Sequence, residues 1–358
     1  MTGGFAGNAR DKGSLHRQEV MEFGRAVGKL KQEIGKDACL GLKIGCNLHE
    51  GAAVGHAAAV FSRAVDQLVR FPTVHLGRNG ARSRVARVPA GKSVSRIHAT
   101  AIVAPEARIA EDVEIGPFCR IGAEVEIEAG SVLMGNVLIE GRTRIGAGTR
   151  IHPFASLGQP PQYAALKAPP GGLQIGRNNV IYEYVTMNTG MSAEGKPTSV
   201  GDNGSFMPGA HVAHDCHIGD HVVMATKATL AGHVSIGDHA VIDSLTAIHQ
   251  NSRIGKHALI GASTAVGKDI VPFAIADGRG PQLRGLNIAS LRQWNFAQDD
   301  IRALRDAYRE LFLGTGHYTA RLDKVAERFR DIAVVMDLVD FITADASRPI
   351  CTVTAVDE

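Results

Sequence analysis

Large aromatic rings are scarce in this chain: 18 of 358 residues are Phe, Trp or Tyr, with a single Trp, against 41 Gly. The core must therefore come from Val, Ile, Leu and Ala in a backbone-tight arrangement, which leans towards a repeat architecture. Cysteine is sparse as well. Cys39, Cys46, Cys119, Cys216 and Cys351 form an odd, scattered set without CxxC spacing. That excludes a disulfide framework or a structural zinc site and suits a reducing compartment, the cytoplasm by default. No run of 18 apolar residues occurs, and the opening MTGGFAGNARDKG lacks the apolar centre of a secretory signal. No membrane span is expected.

The formal charge of +3 conceals two unlike parts. Residues 1–96 hold 16 Lys and Arg against 7 Asp and Glu, whereas residues 97–358 hold 23 against 29. The basic leader has no aromatic interleaving and matches no nucleic-acid module, so no nucleic-acid partner is expected. Within it, residues 56–71 (HAAAVFSRAVDQLVRF) are compatible with one amphipathic helix, and the remainder reads as poorly ordered.

From Val103 an aliphatic residue recurs every six positions: Ile109, Ile115, Ile121, Ile127, Leu133, Ile139, Ile145, Ile151 and Leu157 follow. The fifth position of each unit is small or β-branched, as at Val113, Cys119, Val125, Ser131 and Thr143. The pattern resumes at Ile175, Ile181 and Met187, changes phase, and runs on from Val200 to Val266. Such a hexapeptide period specifies a parallel β-helix with one short strand per unit and aliphatic residues stacked inside. The expected fold is a left-handed parallel β-helix over 97–285, three units to each 18-residue coil, followed by a C-terminal α-helical domain over 286–358.

Two segments interrupt the repeat, and insertions in a solenoid are where binding sites tend to lie. Residues 159–172 preserve phase and read as a Pro-rich excursion in place of two hexapeptides. Residues 188–199 break phase and read as an exposed loop. Beyond Pro272 and GRGPQLRG (278–285), Ile301, Leu304, Tyr308, Leu311 and Phe312 share one face of a helix beginning near Gln298. A second helical region is expected over about 319–343.

The chain has 15 His, most of them between residues 211 and 257. In GAHVAHDCHIGD, Val212 and Ile218 are interior, so His214 should point outward, with Asp215 beside it. A carboxylate next to an imidazole fixes its tautomer and stabilises the imidazolium, as a general base acting on a hydroxyl requires. Eighteen residues on comes Gly232 with His233, and a further coil brings Gln250 beside His249. The bare Gly232 amide is placed to stabilise an oxyanion, with His233, His249 and Gln250 positioning substrate. His217, His221, His239 and His257 read as polar surface residues. Zinc held by three His from adjacent walls is the rival chemistry. Cys119 and Cys216 occupy small packing positions and need no reactivity.

These motifs (IHATAIVAPEA, IGPFCRIG, HVAHDCHIGD, ATLAGHVSIGD, TAIHQ, GLNIASLR) resemble the UDP-N-acetylglucosamine acyltransferases that open lipid A synthesis, over roughly three quarters of the chain. The resemblance implies a homotrimer with active sites between subunits, no metal and no cofactor. It implies transfer of an (R)-3-hydroxyacyl group from acyl carrier protein to the 3-hydroxyl of the UDP-sugar. By motif, His214 is similar to the family's general base, Asp215 to its orienting carboxylate and Gly232 to its oxyanion amide. His211, His233, His249 and Gln250 match substrate-positioning residues. Asn287 matches the asparagine near the nucleotide and the acyl entrance. Ala262 matches the position whose size sets acyl length, and its small side chain implies a longer chain.

The chain also departs from that pattern. The family's Asp-Leu-Lys after the Pro-Gln of the first loop is here Tyr163, Ala164 and Ala165, and Ala289, Gln293 and Trp294 stand where charged residues are usual. Because a diphosphate recruits cations, Arg292, Lys167 or Arg284 is expected to substitute, or the acceptor to differ. A 3-amino UDP-sugar acceptor and a non-catalytic relative that binds acyl carrier protein are the alternatives.

Overall fold

The computed structural model describes residues 96–162, 171–191, 195–278, 280–345 and 347–353. The basic leader, its expected helix over 56–71, and residues 163–170 lie outside the described residues.

Short strands, most of two residues, line up in three sheets of 11, 9 and 8 strands, parallel except for the last strand of the first. Within the solenoid each strand pairs with the third strand before and after it in the chain, up to Ala265–Val266. The three sheets are the walls A, B and C of a left-handed parallel β-helix. Arg96–Ile97 begins wall A, Ile102–Val103 wall B and Arg108–Ile109 wall C. Crossovers between parallel strands are usually right-handed because strands twist. Strands this short carry almost no twist, which removes the objection to winding the other way.

Each wall residue of the hexapeptide period points inward. Ile115, Leu133, Ile151, Ile181, Phe206 and Met224 form the wall A stack, and all are about 1% exposed or less. The small fifth position closes each corner. Ser131 Oγ donates to Gly146 O, and Cys216 Sγ lies 3.1 Å from Ala231 O. At most corners a residue sits in the left-handed region, Asn136, Phe154, His221, His239 and Leu245 among them, with φ between 51° and 67°. The left-handed conformation costs about 1–2 kcal/mol per non-glycine residue. A ladder of amides offsets it: His221 N–H donates to Asp202 O, and His239 N–H to Asp220 O, each at 2.8 Å.

Both interruptions leave at the same corner, between walls B and C. Leu157 lies on wall B and Ile175 on wall C. The first loop is therefore inserted at one corner and replaces no wall, contrary to the two-hexapeptide reading. Its cost is a register jump, with Ser156 pairing Thr186 directly. The second loop sits one coil on, so that Thr186 pairs His211.

Past wall A's Ala274–Asp277, an antiparallel strand Gln282–Leu286 ends the solenoid. Four helices follow: α1 (Ile288–Gln293), α2 (Gln298–Leu313), α3 (Tyr318–Arg328) and α4 (Ala333–Thr343). The apolar face of α2 is buried as the spacing requires. The second helical region is two helices, because Phe329 turns inward and Ile332 is extended, so α3 and α4 each pack on α2. Arg253, paired with buried Asp269 at 2.6 Å and lying over the Phe341 ring, fastens α4 to wall C. Among the described residues no helix is long and apolar enough to cross a membrane.

Candidate active site

Wall B reaches the B–C corner through His211–Val212, and wall C leaves it through His217–Ile218. His214 and Asp215 fill the corner between them, with Asp215 at φ 58°. Nδ1 of His214 lies 2.8 Å from Asp215 Oδ2, and both side chains are less than one-fifth exposed. An ionised carboxylate only accepts, so Nδ1 carries the hydrogen and Nε2 is left as the acceptor. One coil on, Gly232 lies directly under the ring: a Cβ there would meet His214 Cε1 at 2.4 Å and Nε2 at 2.6 Å. Only glycine leaves His214 its place. No hydrogen bond within the described residues uses the Gly232 amide.

His233 stands edge-on to His214, centroids 5.1 Å apart, and its Nε2 is 3.6 Å from Asp215 Oδ2. His249 and Gln250 are exposed on the next coil, with His249 Nδ1 3.2 Å from Gln250 O. His211 faces outward from wall B, Nδ1 2.7 Å from Thr186 Oγ1, and burial lowers its pKa. It is therefore neutral near pH 7. On wall C, His217 meets Ser199 Oγ at 2.9 Å, and burial, then Lys196, lowers its pKa.

Seven of the nine residues singled out in the sequence thus gather on one corner. Ala262 and Asn287 do not. Ala262 is exposed on the A–B corner, between the wall A strand Leu259–Ile260 and the wall B strand Ala265–Val266. Counting by six from Gln250 would have shown this. Asn287 caps α1 at the C–A corner, its Oδ1 accepting from Ser290 N–H and its Nδ2 donating to His257 O at 2.9 Å. Of the substitute cations, Arg284 is paired with Asp277, and Arg292 is exposed in the last turn of α1. Tyr163, Ala164, Ala165 and Lys167 lie outside the described residues.

Ligand atoms of His214, Asp215 and His233 lie within 4.8 Å of one another. A divalent cation would find two imidazoles and a carboxylate here, not the three histidines of the zinc alternative. Two clefts of about 650 and 670 Å³ lie on wall C, one over Arg108, Glu126 and Arg144 and one against α4. Neither is lined by His214. Cys119 and Cys216 are buried and free, and burial pushes the Cys216 thiol up to about 12, as inert packing residues require.

The reading of His221, His239 and His257 as plain surface residues is overturned. They stack ring on ring up the C–A corner, centroids 4.8 and 4.5 Å apart, ending on Phe273. Trp294 lies across the column, 3.9 Å from His239. The partners, Trp294 and Phe296, are too distant in sequence for a local pattern to reveal them.

Comparison with known proteins agrees with this architecture. A family model described as UDP N-acetylglucosamine O-acyltransferase, domain 2, matches residues 269–351. An acyl-acyl-carrier-protein UDP-N-acetylglucosamine O-acyltransferase of Caulobacter vibrioides is 50% identical over 71% of this chain and 97% of that protein. Its namesake in Thermodesulfovibrio yellowstonii is 44% identical over 72% of this chain and all of that protein. A solved UDP-N-acetylglucosamine acyltransferase superposes with a TM-score of 0.69 at 38% identity, covering 73% of this chain and all of the other. With such identity along nearly the whole of its relatives, the chain belongs to the UDP-N-acetylglucosamine O-acyltransferase family.

Proposed function

We propose that this chain transfers a 3-hydroxyacyl group from acyl carrier protein to the 3-hydroxyl of UDP-N-acetylglucosamine, the first step of lipid A biosynthesis. The observation that carries the reading is the His214–Asp215 pair at 2.8 Å with the His214 ring seated on Gly232. Nε2 of His214 takes the sugar hydroxyl proton as the oxygen attacks the thioester carbonyl. The carbonyl oxygen gains the charge, and the Gly232 amide is the donor available to it. When the tetrahedral intermediate collapses, the C–S bond breaks and the imidazolium returns its proton to the departing carrier thiolate. His211, His233, His249 and Gln250 orient the acceptor along the same corner.

A homotrimer with sites between subunits encloses this corner. Its support is the apolar A–B corner, since ion pairs occur on all three walls, Arg96–Glu114 on wall A and Arg120–Glu140 on wall B among them. The outer face of wall C bears the ion pairs Arg108–Glu126 and Arg144–Glu128 and is then covered by α4. Walls A and B turn Val132, Val180, Val223, Leu138 and Ala247 outward, and their shared corner exposes Phe118, Phe154, Tyr184 and Leu245 at 50–64%. Packing wall B of one copy on wall A of the next sets His214 against the C–A corner of its neighbour, where Asn287 lies. An acyl chain starting at His214 would cross wall B over the small side chains of Ala247 and Ala265 to reach Ala262. Soluble acyl carrier protein and a nucleotide sugar as partners put the reaction in the cytoplasm.

Purified protein given 3-hydroxyacyl carrier proteins of several lengths and UDP-N-acetylglucosamine should turn over. His214→Ala should lower kcat/KM by about 10²–10⁴ without unfolding the protein. Preference for the 3-amino sugar nucleotide would favour N-acylation, to which the uncharged Tyr163-Ala164-Ala165 in the first loop points. A folded trimer without turnover on either acceptor sinks the enzyme reading.

A further inference from the structure

The amide ladder that supports most corners is altered at the residue beside the base. Going up the B–C corner, His233 N–H donates to His214 O at 3.0 Å and Asn251 N–H to Gly232 O at 3.1 Å. Most left-handed corner residues are thus held by the backbone of the coil before them, and at Phe118 the Thr100 hydroxyl takes that place, 3.1 Å from the amide nitrogen. Asp215 lacks that partner at the corner where the second insertion lies, between the strands Thr186–Asn188 and Thr198–Val200. Its N–H donates instead to Thr198 Oγ1 at 2.8 Å, and Thr198 is fully buried.

The same loop also reaches the carboxylate. Met191 N–H approaches Asp215 Oδ1 at 3.2 Å and Oδ2 at 3.3 Å. Its backbone is aimed there by a pair of bonds to the end of the first loop, Gly171 N–H to Gly190 O at 2.7 Å and Gly190 N–H to Gly172 O at 3.1 Å. Gly190 packs so closely that a Cβ on it would stand 3.0 Å from Asp215 Oδ1. The carboxylate that orients His214 is therefore gripped at its backbone by Thr198 and at its oxygens by Met191. Met191 belongs to the insertion, and Thr198 opens the wall C strand Thr198–Val200 at which the insertion ends.

We propose that Thr198 and the Met191 amide are positioning groups for the general base, Met191 from the start of the second insertion and Thr198 from the strand at which it ends, the Thr198 hydroxyl standing in for the ladder carbonyl. The inference rests on the reading of His214 as base. A hydroxyl is the right substitute because it accepts the orphaned amide hydrogen of a buried corner while its methyl fills the packing position. Freed from either grip, the carboxylate can rotate away from Nδ1, and the imidazole loses its fixed tautomer and orientation. A misplaced base slows proton transfer without weakening substrate binding, since neither Thr198 nor Met191 needs to touch substrate.

The test is the steady-state kinetics of the full chain with acyl carrier protein thioester and UDP-N-acetylglucosamine, comparing Thr198→Val, Thr198→Ser and Gly190→Ala. Thr198→Val should lower kcat about tenfold, with KM for both substrates within about twofold, and Thr198→Ser should restore kcat to within about twofold. Gly190→Ala, which presses on the carboxylate from the other side, should lower kcat in the same way and keeps the test alive if the valine variant fails to fold. In an Asp215→Ala background the Thr198→Val effect should vanish, because the group it positions is gone. Wild-type kcat in both Thr198→Val and Gly190→Ala, or losses that multiply fully with Asp215→Ala, would overturn the clamp while an inactive His214→Ala leaves the base in place. An active His214→Ala would overturn both.

Discussion

Two columns of histidine climb adjacent corners of one solenoid in opposite surroundings. At the B–C corner, His214 and His233 converge on the carboxylate of Asp215, and ring nitrogens point at hydrogen-bonding partners. At the C–A corner, His221, His239 and His257 lie face to face with Phe273 and Trp294, and His257 is only 4% exposed. The left-handed corner slot holds His221, His239 and His257 on one side and Asp215 and His233 on the other, with His214 one residue before it. What differs is what packs outside it: a glycine and an inserted loop on one side, helix α1 and its indole on the other. An imidazole given a carboxylate is poised to exchange protons, whereas one given aromatic faces is a packing surface. Activity should accordingly track the first column and stability the second.

The sharpest way to break that division is at Gly232. A Cβ there overlaps the His214 ring at 2.4 Å, yet it would point away from the interior stack. Gly232→Ala should therefore lower kcat/KM by about 10²-fold or more, comparable to the loss of an oxyanion donor, while shifting the melting temperature little. A variant of near-wild-type activity would mean that His214 works from some other position, and one that unfolds would make the corner structural. Circular dichroism melting beside the acyl-transfer assay separates these outcomes.

How much of this was legible in sequence follows from the range of each interaction. The inward aliphatic positions, the small corner residues and the juxtaposition of His214, Asp215 and Gly232 depend only on an 18-residue period, so counting recovered them. The first loop was misread because Leu157 to Ile175 is a multiple of six, and phase alone cannot distinguish two missing walls from one long corner. The C–A column was missed for a different reason. Trp294 lies 37 residues beyond His257, at the end of a helix whose docking no period encodes. Thr198 was passed over because the clue is subtle: it lies 17 residues before Asp215, one short of a full coil, on the far side of a loop that breaks the count.

Trp294 makes the second column testable with the chain's own fluorophore, being its single tryptophan. Its indole covers His221 and His239, but 40% of it is exposed, so removal costs less than that of a core ring. Trp294→Ala should destabilise by about 1–2 kcal/mol, below the about 3–5 kcal/mol of a fully buried aromatic, with kcat at saturating substrate changed less than by Gly232→Ala. Denaturant unfolding followed by circular dichroism measures it. A fall in kcat as deep as that of Gly232→Ala would show that the two columns are not divided between chemistry and packing.

The remaining effect is one of pH, and its sign distinguishes a packed histidine from a paired one. Burial, then His239 and Lys256, pushes the His257 pKa down to about 4, and burial, then His221, lowers that of His239. Asp238 and Asp220, which face His239, oppose this without reversing it. The unfolded chain takes up a proton on His257 as pH falls below the ordinary value near 6.5, and the folded chain does not until about pH 4. The unfolded state thus binds more protons throughout that window, so stability is fully present above it and is lost as pH falls through it. The loss from His257 is at most about 3 kcal/mol, and less wherever solvent reaches the ring edge. His257→Phe keeps a ring in a left-handed corner position that Phe273 already occupies one coil on. It removes the proton and the contact of Nδ1 with Ser290 Oγ at 3.0 Å. Melting temperatures between pH 7 and 4.5 should fall less steeply in that variant than in the wild type. A steeper fall in the variant would mean that His257 gains its proton more readily folded than unfolded, and the column would then belong with His214 and Asp215 as a charged device.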